Sequence, residues 1–173
     1  MADQAATLRV IRGGGGGSKQ IPRVITRRAF AVSGGKGGVG KSTIALNLAI
    51  AYAQAGNRTL VLDTDLGMAD LNLLLGVAPE RSMLDALGGT AIEDIIVKAH
   101  GIELLPALNG SYVLSTLGST ALDQILKMVA SLAEKFDTLV VDVAAGIGRA
   151  QPKFARATTD TIRAAATETP ARA

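Results

Sequence analysis

At 173 residues the chain is long enough for one domain with a single core and too short for two comfortable ones. It has no cysteine, which excludes a disulfide framework, a thiolate metal site and a cysteine nucleophile and fits a cytoplasmic protein. No apolar run approaches the roughly 18 residues of a membrane-spanning helix, and Met1-Ala2-Asp3-Gln4 lacks the basic start and apolar stretch of a signal peptide.

The net charge of +3 is uneven, because Arg9, Arg12, Lys19, Arg23, Arg27 and Arg28 fall in a stretch without a single acid, while the remainder carries twelve basic against fifteen acidic residues. No aromatic is interleaved with those cations to stack on bases, so a solvated tether is expected there and nucleic acid is not an expected partner. Gly13 to Gly17 followed by Ser18 form a flexible linker, since consecutive glycines cannot hold a helix or strand without a large entropic cost. The organisation expected is an arm over 1–12, a basic glycine-rich linker over 13–28, a nucleotide-binding domain over 29–148 and a disordered tail over 149–173. The arm, Asp3-Gln4-Ala5-Ala6-Thr7-Leu8-Arg9-Val10, tolerates helix but is far too short for an isolated helix in water, so it is expected to order only on a partner.

The apolar run Ala29-Phe30-Ala31-Val32 predicts a strand, and Ser33 to Thr43 reads S-G-G-K-G-G-V-G-K-S-T before the helix-like Ile44 to Ala55. Gly35, Gly40, Lys41 and Ser42 satisfy the phosphate-loop pattern in its required strand–loop–helix context. Backbone N–H groups freed by the glycines and the positive end of the following helix attract phosphate oxygens, Lys41 reaches the β/γ-phosphates, and the Ser42 hydroxyl suits Mg²⁺. Gly35, Gly37 and Gly40 also fit a dinucleotide fingerprint with Asp63 as its acid. The Lys41-Ser42 pair favours phosphoryl chemistry instead, because a point charge and a metal-ligating hydroxyl do little for a pyrophosphate that is not cleaved.

The helix over 42–55 is apolar on most faces and ends at Gly56-Asn57, and Arg58 to Asp63 is a second strand. Strand, helix and strand within some thirty residues make a right-handed βαβ unit with a parallel sheet, whose function lies at the strands' carboxyl ends. Asp63-Thr64-Asp65 stands at such an end. Ser82 to Leu87 and Ile92 to Ala99 read as short helical pieces, and His100 as a surface loop residue. Leu122, Ile125, Leu126, Val129, Leu132, Ala133 and Phe136 recur at helical spacing and predict a helix packed on the sheet. Asp137 to Asp142 is a strand that delivers an acid, Asp142, able to hold Mg²⁺ through water.

A second lysine inside the loop, Lys36 in K-G-G-V-G-K-S-T, resembles the deviant Walker A motif of the MinD/ParA class of ATPases. The fold this implies is α/β, a P-loop NTPase of the SIMIBI, MinD-like type with a parallel sheet flanked by helices. The resemblance implies ATP and Mg²⁺ as cofactors, with Gly35, Lys36, Gly37, Gly38, Val39, Gly40, Lys41, Ser42 and Thr43 on the nucleotide. It also implies an ATP-dependent homodimer in which Lys36 reaches the partner subunit's ATP. The segment from Asp63 to Val77, D-T-D-L-G-M-A-D-L-N-L-L-L-G-V, is similar to the class's switch I, and Val143-Ala144-Ala145-Gly146-Ile147 to its switch II. On that basis Lys36, Lys41 and Asp65 are catalytic, with Asp65 positioning water, and Ser42, Asp63 and Asp142 surround the metal. Asp70-Leu71-Asn72 reverses the usual N-x-D order, which bears only on dimer contacts.

The arm, D-Q-A-x-x-L-R, is similar to the activator motif of the FlhG (FleN) flagellar-number regulators within this class. Residue by residue, Asp3, Gln4, Ala5, Leu8 and Arg9 match, which implies stimulation of an FlhF-like signal-recognition-type GTPase, with Gln4 helping to place its attacking water. Two other functions stay open: a non-catalytic fragment acting through its arm alone, and a division or partition ATPase of the same class.

After Gly148 the residues depart from the family pattern, and the alanine-, threonine- and arginine-rich run offers only Phe154 and Ile162 to bury. A truncation or frameshift is expected there, leaving a sheet of about four strands that is incomplete at its C-terminal end and marginal in stability. Membrane contact is then not expected, because the class's C-terminal amphipathic helix is missing from the pattern.

Overall fold

The computed structural model describes residues 9–11, 28–64, 70–106, 119–143 and 150–165. Seven strands form one sheet: β1 (Arg9–Ile11), β2 (Arg28–Gly34), β3 (Thr59–Asp63), β4 (Val97–Ala99), β5 (Ile102–Leu105), β6 (Thr138–Asp142) and β7 (Asp160–Ala164). Their spatial order is β1-β7-β2-β6-β3-β5-β4. The inner strands run parallel, and each edge strand, β1 on β7 and β4 on β5, is antiparallel.

All five residues of β3 and of β6 are buried, as a parallel sheet covered on both faces demands. On one face Ala29, Ala31, Leu60, Leu62, Leu139 and Val141 pack beneath α4 (Ser119–Ala133), α3 (Met83–Leu87) and α5 (Ala150–Ala157). The apolar positions read at helical spacing, Ile125, Leu126, Val129 and Leu132, are the buried face of α4. On the other face Val32, Val61, Leu104, Val140 and Ile162 pack beneath α1 (Lys41–Gln54) and α2 (Asp70–Leu75).

Helix α1 stops as its sequence requires. Gly56 takes a φ of 87°, the Asn57 N–H donates to the Tyr52 carbonyl at 3.1 Å and the Gly56 N–H to that of Ala53 at 2.9 Å, a Schellman closure open to a glycine. The chain then enters β3 parallel to β6, with β6 between it and β2.

Four expectations are corrected. The segment after Gly148 was expected to hold no strand, yet α5 and β7 occupy it, and β7 pairs with β2 in parallel from Phe30↔Asp160 to Gly34↔Ala164. Phe154 and Ile162, its only sizeable apolar side chains, are 4% and 8% exposed, one in each core cluster, and they anchor a segment whose composition alone would not fold. The Lys153 ammonium adds a 2.6 Å ion pair to Asp123 on α4.

The sheet therefore has seven strands where about four were expected, and its edges are three-residue strands, short enough to limit pairing with other chains. At one edge, Arg9–Ile11 was expected to order only on a partner but lies antiparallel on β7, with Arg9 opposite Arg163. Residues 1–8 of the arm lie outside the described residues.

Ile92 to Ala99 was expected to be helical throughout. Only Ile92–Ile95 is, as a 3₁₀ turn, and Val97–Ala99 is strand β4. The reason is the pair His100-Gly101, with φ of 50° and 81°, a two-residue turn of the kind that closes hairpins and that joins β4 to β5 with Ala99 opposite Ile102. His100 is exposed in that turn, in keeping with its reading as a surface loop residue.

Candidate functional site

Strand β2 ends at Gly34, and residues 35–40 wrap from there to the first turn of α1. Gly38 and Gly40 hold φ of 74° and 83°, a region that side-chain-bearing residues avoid, so glycine is needed to turn the loop's backbone. Gly40 is the N-cap of α1 and has no side chain to cap it, and no acid stands in the first turn. The Ile44 N–H donates to the Gly40 carbonyl at 2.9 Å, so the helix's own bonds begin there, and the N–H groups ahead of it have no carbonyl within the helix to bond. An anion is what that end of a helix attracts.

The two lysines take different positions. Lys41 is 8% exposed, and its side chain runs back over the end of β2: a Cβ built on Gly34 would lie 3.0 Å from the Lys41 Cδ. Lys36 is exposed at the loop's rim, and Gly35, Gly37, Gly38, Gly40 and Thr43 are exposed with it, while Val39 and Ser42 are half-buried.

Asp63 and Asp142 stand opposite each other at the carboxyl ends of β3 and β6, and Asp142 is also opposite Val32 of β2. Both are nearly fully buried, at 1% and 2% exposed, and of their two strands β6 is the one paired with β2, from which the loop leaves. Thr64 ties these tips together, its Oγ1 donating to the Asp142 carbonyl at 2.7 Å and its N–H to the same oxygen at 3.1 Å. The Val143 N–H donates to the Val32 carbonyl at 2.8 Å, which fixes β6 to β2 just before the loop.

Ser42, Asp63 and Asp142 offer only oxygen donors, the set a hard cation such as Mg²⁺ takes. Among the described residues no group of three or more His, Cys, Asp or Glu is placed to hold a metal ion by itself. The residues thus fit a cation that arrives with phosphate oxygens completing its shell rather than a site made of protein alone.

The fold brings the loop residues, Asp63 and Asp142 to one end of the sheet. Asp65 lies outside the described residues, as do Asp3, Gln4, Ala5 and Leu8, and Arg9 falls in β1. Two residues at the site were not singled out as functional from the sequence. Thr64 could have been suspected from its place directly after a site strand. Arg163 had no such signal, because it reaches the site only through the pairing of β7 with β2.

The family model of the CobQ/CobB/MinD/ParA nucleotide binding domain matches residues 30–156, so the resemblance runs past Gly148 into α5. The antiactivator FleN of Pseudomonas aeruginosa is 35% identical over 146 residues, which cover 83% of this chain and 52% of that protein. The flagellum site-determining protein YlxH of Helicobacter pylori is 38% identical over 131 residues, 74% of this chain and 44% of that one. Among solved structures, the septum site-determining protein MinD of Pyrococcus horikoshii, in complex with Mg-ADP, matches with a TM-score of 0.64 and 30% identity over 76% of this chain and 54% of that one. The chain spans about half the length of the curated relatives it matches.

Proposed function

For a chain that belongs to the CobQ/CobB/MinD/ParA nucleotide-binding family, we propose the function of an ATP-binding and ATP-hydrolysing regulator of flagellar number or placement, a nucleotide-dependent homodimer whose N-terminal arm stimulates an FlhF-like GTPase. The observation that carries it is the phosphate loop with a buried Lys41 and an exposed Lys36 beside two buried carboxylates at adjacent strand ends. The likeness to FleN and YlxH supports the flagellar setting.

Loop N–H groups and Lys41 hold the β- and γ-phosphates, and Ser42 with Asp63 and Asp142 presents oxygen donors where Mg²⁺ would sit. When bound with ATP, the ion neutralises charge on the transferring phosphoryl group. Asp65 orients the attacking water. Lys36, exposed on the rim, would face a second subunit, and Leu73 and Leu74 on α2, at 75% and 52% exposed, offer apolar surface for the same contact. The arm would act from the cytoplasm on its GTPase; among the described residues no helix is long and apolar enough to cross a membrane.

The test is calorimetric titration of Mg·ATP into the full chain and into Lys41→Ala, together with GTPase stimulation by Gln4→Ala. Saturable binding should weaken at least about 10-fold in Lys41→Ala, the cost of losing a charged hydrogen bond. Gln4→Ala should bind ATP normally and lose stimulation. Full stimulation by a wild-type chain that binds no ATP would replace this reading with that of an arm acting alone.

A further inference from the structure

The cavity beside the loop contains a cation to which the nucleotide reading gives no role. Gly35, Lys36, Val39, Arg163, Ala164 and Ala165 line about 320 Å³ of open space, with two cations and no acid among them. Arg163 reaches it through the parallel register of β7 on β2, which sets Arg163 opposite Ser33 and Ala164 opposite Gly34, at the root of the loop. Its strand neighbours Ile162 and Ala164 are buried, and alternation leaves Arg163 exposed on the other side.

The placement is held firmly. A Cβ on Gly34 would lie 3.0 Å from the Ala164 carbonyl oxygen, so β7 and the loop's root touch, and Arg163 cannot drift from the loop without parting the sheet.

We propose that Arg163 is a third phosphate-binding cation, after Lys36 and Lys41, which contacts the phosphate chain of a nucleotide seated on Gly35 to Thr43. This rests on the nucleotide reading above. A guanidinium presents paired N–H donors in a plane that matches two phosphate oxygens, whereas an ammonium acts as a point charge. The ligand chemistry is therefore a polyphosphate, and Arg163 acts on the chain rather than on the base.

Calorimetric titration of the full chain with Mg·ATP and with Mg·tripolyphosphate tests it, in the wild type, Arg163→Gln, Arg163→Lys and Lys41→Ala. Arg163→Gln should weaken both ligands by a similar factor, on the order of 10-fold, and Arg163→Lys should regain part of the loss. Thermal melts of the two unliganded Arg163 variants should coincide with the wild type, since that side chain is exposed; a charge-specific pattern in Arg163→Lys separates binding from folding if Arg163→Gln melts early. Unchanged affinities in Arg163→Gln would overturn the proposal. So would a loss confined to ATP, which would assign Arg163 to the base or ribose. Binding lost in Lys41→Ala but kept in Arg163→Gln would refute this inference alone, whereas a wild type that binds neither ligand would refute the nucleotide site and this inference with it.

Discussion

Gly34 shows how tightly single positions constrain the loop. Its missing side chain leaves room for three groups at once, since a Cβ there would lie 3.0 Å from each of the Lys41 Cδ, the Val39 Cγ2 and the Ala164 carbonyl oxygen. Gly34→Ala should therefore destabilise the fold by about 1–3 kcal/mol through overpacking, measured by thermal unfolding. It should also weaken Mg·ATP binding by displacing Lys41, whereas Gly37→Ala, at a position with nothing within 4 Å of a new Cβ, should melt like the wild type. Lys41 and Lys36 were both legible as residues. What the sequence did not reveal is that one would be buried over the end of β2 and the other exposed on the rim.

Among the elements, α3 is the one whose ends are written most plainly in its residues. The Ser82 side chain accepts from the Leu84 N–H at 3.3 Å, and Asp85 reaches back to the Ser82 N–H at 2.7 Å, a capping box around a five-residue helix. The hydrogen bonds from the Ser82 backbone and hydroxyl hold the Asp85 carboxyl below its ordinary value. A lowered native pKa means that the stabilisation is complete above the ordinary aspartate range and is lost as pH falls through the lowered value. Ser82→Ala should lower the melting temperature by a few degrees at neutral pH, and its gap from the wild type should shrink on acidification through that range, as followed by circular dichroism. A gap that stays constant with pH would assign no part of it to Asp85. The strands β4 and β7 were harder to read. Asp160-Thr161-Ile162-Arg163-Ala164 has one large apolar residue, and it is a strand because β2 and β1 pair with it on both sides. Pairing partners far away in sequence decide such a segment, and local propensity does not.

For the whole molecule, the nucleotide site and the sheet's stability are linked. The loop, the tips of β3 and β6 and the end of β7 all meet at one end of the sheet, so a ligand bound there engages β2, β3, β6 and β7 only when they are assembled. Mg·ATP at about 100 times its Kd should therefore raise stability by about 2.7 kcal/mol, read as an increased melting temperature that Lys41→Ala lacks. No shift at saturating ligand would mean that the loop does not form in the folded chain. Several conclusions needed only the sequence. The glycines with Lys36, Lys41 and Ser42 fit a phosphate-loop pattern between a strand and a helix, the apolar runs 29–32, 58–63 and 137–142 marked inner strands, and Asp63 and Asp142 were legible as the residues at the carboxyl ends of two of them. These are short-range patterns, in which residue type sets backbone freedom, periodicity and charge within a few positions. The tertiary structure alone decided that residues after Gly148 add a strand to the sheet, that Arg9–Ile11 pairs with that strand, and that Arg163 stands beside the loop. Each of these depends on hydrogen bonding and burial between segments distant in sequence, which a local pattern does not encode.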